Sequence, residues 1–546
     1  MEEFLGLLLI LIVYVGGAAV GASAGGVAGG AVGLGEAVYH VFASLVENFN
    51  YRRRDWQNPP EADPAVRSYF FGPFQRQLLA AFRGVFTGIS EGNRVLTSHR
   101  DAVSLEADLH DIVGPAMKVF AWVYYLAGVV SLTVLSLLIS FYIFFILLLI
   151  VLAISVVAGV ILLITRLADS LFLRVHHIRA DCPVHKGTYR VPAFRCSNPE
   201  CGLLHRHLVP NAYGIWHHRC LCGAQLPTTF LTGRSRLQAY CPVPGCEAKM
   251  VASDARPVVF QLIGGSHAGK SVFLASATHL LRRQIAQCDG LGLEIPEDYQ
   301  SVFDQLERWY AGTEPCAKTT DLNSQMYPLL VTMTRSTRRV LTFYDIAGER
   351  FSIDARSGDQ QQLQLGYCDS ILILLDPFSS GTLRTRREQD GMLPDSYSSD
   401  RAEDVVVGFV NYLIHLGVLR AGRKYPIPVY VLIAKSDEPE VYAELGPEPM
   451  RRAITARRTG ENPPTVGQVR DEVCREFLRR NELHEVLNAL SHFETVHFYP
   501  VSAMGHGDVP GAAYAPWGIE SLLRDVIAQA DPELSLFLSA DMSERS

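Results

Sequence analysis

QLIGGSHAGKSVF, from Gln261 to Phe273, is a glycine-rich bend between an apolar run and a segment of helical periodicity. Residues 264 to 271 read G-x-x-x-x-G-K-S, with Gly264, Gly269, Lys270 and Ser271 at the marked positions and Val272 following. Backbone that must come close to phosphate oxygens needs glycines, so that successive N–H groups can turn inward. Lys270 then neutralises the β and γ phosphates, and Ser271 ligates magnesium. A bare match to this pattern arises by chance, and its surroundings decide the matter. PVVFQLI before it reads as a buried strand, and SVFLASATHLLRRQIA after it reads as a helix. Strand, glycine bend and helix together predict a phosphate-binding loop, with Gly264, Gly269, Lys270, Ser271 and Val272 as its contacts.

Downstream segments supply the other parts of a nucleotide site. RRVLTFYDIAGERF is a β-branched and aromatic strand ending in D-x-x-G, with Asp345 lying 74 residues beyond Ser271. Asp345 is placed to hold magnesium through water, and Gly348 to meet a γ-phosphate. A D-x-x-G alone is as easily a surface turn, but at a strand end after a phosphate loop it gains weight. EPCAKTTDLNS offers Thr319 and Thr320, one of which would give a hydroxyl to magnesium; a plain polar loop is the alternative. SILILLDPF shows no obvious chemistry. IPVYVLIAKSDEPE ends in Ala434-Lys435-Ser436-Asp437. A carboxylate there can accept both N–H groups of guanine's Watson–Crick edge while the lysine stem covers the base. Adenine lacks that paired donor edge. VHFYPVSAMG ends in Ser502-Ala503, suited to meeting the guanine carbonyl with backbone N–H groups.

In this order the four elements resemble those of P-loop GTPases of the translation-factor-like (TRAFAC) class, over roughly residues 257–530. The resemblance implies GTP and GDP as ligands, with magnesium, and catalytic parts falling on Lys270, Thr320 and Glu349. Two positions depart from the pattern. Ala434 stands where an Asn or Thr usually precedes the guanine-reading lysine, so one bracing contact is missing. Glu349 stands where many small GTPases have a glutamine that orients water. An ionised glutamate can only accept hydrogen bonds and adds negative charge beside an anionic phosphate, so slow hydrolysis is expected until a partner or a second copy assists. Ser379 to Glu403 reads as a long polar insertion in a loop.

Seven of the eleven cysteines lie between residues 182 and 246, in short pairs beside Pro or Gly. The pairs are Cys182 with His185, Cys196 with Cys201, Cys220 with Cys222, and Cys241 with Cys246. Eight ligands in four knuckles suit two tetrahedral zinc sites, with His185 in place of a thiolate. Disulfides are the rival and would require an oxidising compartment. The sequence leaves the pairing among knuckles open, and His205, His207, His217 and His218 remain substitute ligands. A zinc ribbon ahead of such a nucleotide domain, with membrane spans before it, is similar to the bacterial double-GTPase family. That likeness implies action in regulatory or conflict-related systems beside partner proteins.

The N-terminal third is apolar in long blocks. Residues 119–165 carry no charge and as one straight helix would reach roughly 70 Å, about twice a bilayer's hydrocarbon thickness. Two spans turning near Ser136 to Ser140 are therefore expected. MEEFLGLLLILIVYVGGAAVGASAGGVAGG adds a third span, whose Gly16, Gly17, Gly21, Gly25 and Gly29 permit close helix packing. A cleaved signal peptide would begin with basic residues rather than Glu2 and Glu3. Between these spans, YFFGPFQRQLLAAFRGVF has helical spacing and lies either on the membrane surface or against a neighbouring helix. Arg52, Arg53, Arg54, Lys118, Arg166, Arg174 and Arg179 flank the spans, which puts the C-terminal part in the cytoplasm.

At 546 residues the chain is long enough for two or three folded units, and its net charge of -7 lacks the basic footprint of a dedicated nucleic-acid binder. The expected organisation is a membrane region over 1–180 with about three spans and a cytoplasmic helical segment. A two-zinc module over 181–250, a doubly wound, mainly parallel α/β domain over 257–530 and a tail over 531–546 complete it. Together these predict a membrane-anchored, slowly hydrolysing guanine-nucleotide switch acting on a protein partner. An ATPase working on a membrane partner and a non-hydrolysing zinc-ribbon scaffold are the alternatives.

Overall fold

The computed structural model describes residues 22–32, 63–68, 73–107, 114–184, 187–316, 325–334, 336–346, 368–389, 398, 400–419, 423–458, 462–506 and 513–543, with a few single positions among 18–43. These form two compact units, Met1–Leu171 with Arg195–Leu237, and Phe172–Phe194 with Gln238–Ser546. The segment 181–250, expected as one module, is thus divided between them.

The second unit is built on a seven-stranded sheet. Its strands are β1 (Ala255–Gly264), β2 (Leu291–Glu294), β3 (Gln325–Met333), β4 (Arg338–Asp345), β5 (Ser370–Leu375), β6 (Val429–Ile433) and β7 (Val496–Pro500). They lie in the order β2-β3-β4-β1-β5-β6-β7. From β4 to β7 every neighbour is parallel, whereas β2, β3 and β4 pair antiparallel at one edge. Every residue of β5 and β6 is buried, as unbroken apolar runs require when helices cover both faces of a parallel sheet. Side chains alternate between the two faces. Val259, Ile263, Ile371, Ile373 and Val431 face a core with the helices Ala402–His415 and Val466–Arg480. Val258, Phe260, Leu262, Leu372, Leu374 and Leu432 face another with Lys270–Gln287, Gln300–Tyr310 and Ile519–Ala530.

Two expectations for this unit need correction. The insertion from Ser379 is not wholly loop: Gly381–Gln389 is helical with Leu383 buried, and Ala402 opens the next helix. The segment read as a tail contains the helix Pro532–Ser543, whose Leu534 is buried in the second core. Just before and inside it, Asp531 and Glu533 accept from the buried Arg339 guanidinium at 2.5 and 2.6 Å. A buried arginine needs such partners, and that need fixes the chain end to β4.

Gly114–Val175, all but its last turn in the first unit, is one continuous 62-residue helix, about 93 Å long, rather than two spans with a turn. No Gly or Pro lies near Ser136 to Ser140 to reverse the chain. Small hydroxyl residues continue a helix by bonding back to it, as Thr133 does to the Val129 carbonyl at 2.8 Å. The helix changes character near Ser136. Before it, Ala121, Leu132 and Ser136 are buried, whereas no described side chain from Leu137 to Ala168 is. That exposed apolar stretch corresponds to roughly 45 Å, one bilayer with its headgroup layers. Among the described residues it belongs to the one helix long and apolar enough to cross a membrane.

The expected first span falls mostly outside the described residues, but its end, Ala22–Val32, is a short apolar helix. Gly25 and Gly29 are buried there, and a Cβ on either would run into the Tyr124 or Gly128 carbonyl of the long helix. These two glycines do what small residues do in helix packing: they let backbones touch. The helical spacing read up to Phe86 belongs to a longer helix, Pro73–Ala107.

Near the other end of the long helix, Asp169 accepts from Arg234 Nη2 at 2.9 Å and from the Phe230 N–H at 2.7 Å. Both charged side chains are nearly inaccessible, at 6% and 3% exposure. Asp169→Ala would strand a buried guanidinium, which costs about 3–5 kcal/mol. Limited proteolysis of the full chain in detergent, mapped by mass spectrometry, should show faster cleavage within 195–237. The pair replacement Asp169→Ala with Arg234→Met should restore most of the resistance.

Candidate functional site

The carboxyl ends of β1, β4, β5, β6 and β7 meet at one edge of the sheet, where open α/β sheets place their ligands. β1 ends at Gly264, and the following turn takes His267 and Gly269 into the left-handed region, φ 61° and 94°. Gly269 tolerates this without a Cβ penalty and caps the helix that starts at Lys270, with no side chain bonding to the cap. The Lys270 ammonium folds back onto the loop, donating to the Gly264 and Gly265 carbonyls at 2.8 and 3.0 Å. Ser271 and Val272 lie in the first turn of that helix.

Asp345 ends β4 beside β1, in register with Leu262. It is 6% exposed, and its Oδ1 is buried with no hydrogen-bond partner among the described residues. Burial raises its carboxyl above the usual range, with the Lys270 charge acting the other way. An orphaned, desolvated carboxylate oxygen beside the phosphate-loop lysine fits a divalent cation, directly or through water.

At the end of β6, Asp437 accepts from Ser502 Oγ at 2.7 Å, and that hydroxyl in turn accepts from the Gly505 N–H at 2.8 Å. Ser502 therefore orients the Asp437 carboxylate. Its own N–H, expected to face a base carbonyl, instead donates to the Trp517 carbonyl at 3.1 Å. The Ser502–Trp517 bridge leaves Ala503 as the candidate for that contact, and the Ala503 carbonyl is held by Ser276 Oγ at 2.7 Å. Lys435, with φ 51°, bonds through Nζ to Asp376 Oδ2 at 2.7 Å. Asp376 was missed in the sequence, although a charged residue closing the otherwise apolar run SILILLD was the available signal. Thr319, Thr320, Gly348 and Glu349, with neighbouring Arg350, lie outside the described residues.

The cysteines separate into two groups. Cys196, Cys201, Cys220 and Cys222 bring four sulfurs within 4.8 Å of one another in the first unit, and Cys182, Cys241 and Cys246 do the same in the second. Contacts of 3.6 Å (Cys196 to Cys222, Cys201 to Cys220) and 3.7 Å (Cys182 to Cys246) are far beyond a bonded disulfide. They match the edge of a tetrahedron with metal–sulfur bonds of about 2.3 Å. The arrangement fits metal ions and sorts the knuckles: the middle two pair, and the outer two pair. His185, expected to join Cys182, lies outside the described residues. His205 and His218 are not substitute ligands. Both are buried against Asp63, at 3.0 and 3.5 Å, away from the sulfurs. Burial by itself would lift the Asp63 carboxyl, yet the His205 hydrogen bond and the adjacent His218 imidazole hold it low.

Comparison with protein-family profiles and with curated proteins returns no match. Among solved structures the chain is similar to sup35 complexed with GDP, at 14% identity and TM-score 0.20, covering 47% of this chain and 40% of that one. It is similar to the Methanosarcina barkeri Roco2 RocCORdC fragment bound to GDP, at 12% identity and TM-score 0.19, covering 51% of each. A sup35 complex with GMPPNP matches at 15% identity and TM-score 0.18, covering 45% of this chain and 37% of that one. The chain thus spans about half or less of those structures' own length. Overlaps this loose leave the assignment of a ligand to the residues themselves.

Because burial raises the Asp345 pKa above its unfolded value, the ionised carboxylate opposes folding once pH exceeds that unfolded value. Asp345→Asn removes the charge. The ligand-free protein should then melt at a higher temperature than wild type at about pH 7.5, and the difference should shrink as pH falls toward about 4. Differential scanning fluorimetry across pH checks this.

Proposed function

We propose that this chain is a membrane-anchored guanine-nucleotide switch that binds GTP and GDP with magnesium and hydrolyses GTP slowly. The observation that carries the reading is Asp437, braced by Ser502 at the end of β6, on the same sheet edge as the Lys270 loop and Asp345. A fixed carboxylate there is an acceptor pair for the two donors of guanine's Watson–Crick edge. Lys270, Ser271 and the first turn of its helix would take the phosphates, and Asp345 with Ser271 the magnesium. Thr319, Thr320 and Gly348 are assigned the loops that a γ-phosphate orders, and Glu349 the position beside the attacking water. The two thiolate groups would carry structural zinc, with His185 completing the outer one. The long exposed apolar helix supports anchoring in a bilayer, with both metal sites and the nucleotide site on the cytoplasmic side. The membrane-anchored double-GTPase family with a zinc ribbon is the narrower assignment, and its partner would be a regulated protein or a second copy of the chain.

The test is nucleotide competition on the full chain in detergent. GTP should displace labelled GDP at least about a hundredfold better than ATP does, and equal potency of the two sinks the reading. Asp437→Asn should weaken GTP and favour xanthosine triphosphate, whose C2 oxygen needs a donor. Elemental analysis should return about two zincs per chain, falling to about one in Cys201→Ser. Single-turnover hydrolysis should be slow in wild type and faster in Glu349→Gln; a fast wild type matched by the variant would remove the restraining role of that position.

A further inference from the structure

The phosphate loop already holds a carboxylate. Asp400 Oδ2 accepts from the Ser266 N–H at 2.6 Å, a charge-assisted bond to one of the inward-turning amides of the loop. The contact is close-fitted. A Cβ on Gly265 would stand 2.8 Å from Ser398 Oγ and 3.2 Å from Asp400 Cβ, so the loop has glycine where Ser398 and Asp400 rest on it.

The segment carrying Asp400 is itself held. Ser398 donates its N–H to Asp376 Oδ2 at 2.9 Å and its hydroxyl to the Asp400 carbonyl at 3.0 Å. Asp376 Oδ2 is also the oxygen that holds Lys435. A small cavity between the two segments is lined by Gly265, Ala268, Asp376, Ser398 and Asp400.

Which phosphate would Asp400 meet? Lys270 reaches the β and γ phosphates in a loop of this kind. Its ammonium sits on the Gly264 and Gly265 carbonyls, immediately before Ser266. The inner phosphates belong at the helix start, four residues further on. Ser266 therefore marks the terminal-phosphate end of the loop.

We infer that Asp400 is a specificity-determining residue for the phosphate chain: it takes the acceptor place of a terminal phosphate oxygen at Ser266, admitting a diphosphate and opposing a triphosphate. The inference rests on the proposed nucleotide site. A γ-phosphate and the Asp400 carboxylate cannot share one N–H, and their like charges repel at contact distance. A triphosphate binds only once Asp400 has left Ser266, whereas the inner phosphates of a diphosphate need not displace it. Asp400→Asn keeps the shape and removes the charge; Asp400→Ala removes the acceptor as well.

Isothermal titration of the full chain in detergent, with magnesium, would use GDP, GMPPNP, ADP and AMPPNP as probes. The expected result is a GMPPNP affinity raised about tenfold or more in Asp400→Asn and at least as much in Asp400→Ala, with GDP affinity changed less than about twofold. An unchanged ratio of GMPPNP to GDP affinity in both variants overturns the inference and leaves the guanine reading intact. Binding of adenine nucleotides in place of guanine overturns the guanine reading, and the AMPPNP to ADP ratio then decides the role of Asp400 in the same way. If all three proteins fail to bind any probe, both ideas fall. Thermal melting of each variant without nucleotide separates a lost contact from a lost fold.

Discussion

The carboxylate of Asp376 belongs to a residue only 2% exposed, and it carries a negative charge into the sheet edge where the parallel strands end. A buried charge is tolerated only when paired and hydrogen-bonded. Asp376 satisfies that condition through the Lys435 ammonium, the Ser398 N–H and the Phe378 N–H. Each partner belongs to a different part of the edge. Lys435 leads to Asp437 and Ser502, Ser398 leads to Asp400 and the phosphate loop, and Phe378 closes the turn after β5. Removing this one anion would take an acceptor from Lys435 and one from Ser398, so the Asp437 end and the Lys270 end of this edge are tied to a common point.

The two ends differ in how they are stiffened. At the Lys270 end, backbone conformation is decisive: His267 and Gly269 turn the loop through left-handed positions, and Lys270 folds onto its carbonyls. At the Asp437 end side chains do it, with Ser502 fixing Asp437 and Ser276 fixing the Ala503 carbonyl. Ser276 lies on the helix that Lys270 begins, so the same helix reaches both ends.

Much of this edge was legible in the sequence, because local chemistry and chain order specify it. A glycine-rich turn between strand and helix, a D-x-x-G at a strand end and the KSD and SA pairs each need only a few neighbouring residues to be recognised. Asp345 accordingly ends a strand, Lys270 begins the helix after the glycine bend, and Asp437 follows a strand, as read. What escaped depends on contacts between distant segments. Asp376 looked inert because two of its three partners, Ser398 and Lys435, lie over twenty residues away in the chain. Asp400 lay in a polar stretch whose composition reads as loop, and nothing local marks a carboxylate that rests on Ser266. The Ser502 N–H, read as facing a base carbonyl, donates instead to the Trp517 carbonyl, a pairing no motif encodes. The hairpin failed for a different reason: bilayer thickness suggested a break, but no residue near Ser136 enforces one. The cysteine pairing could not be read at all, since spacing is silent on which knuckles meet in space.

That pairing has a consequence for how the chain is assembled. The inner sulfurs, 196 to 222, are nested within the outer ones, 182 to 246. Closing a short loop costs less entropy than closing a longer one around it, and everything the inner set needs emerges from the ribosome first. An ion taken by the middle knuckles would draw residues 196–222 together, shortening the loop that Cys182 must close once Cys241 and Cys246 have been made. Metal capture would then be ordered, inner before outer. The outer triad closes directly onto the chain that enters β1, so the last ion loaded would be the one adjoining the strand that ends in the phosphate loop.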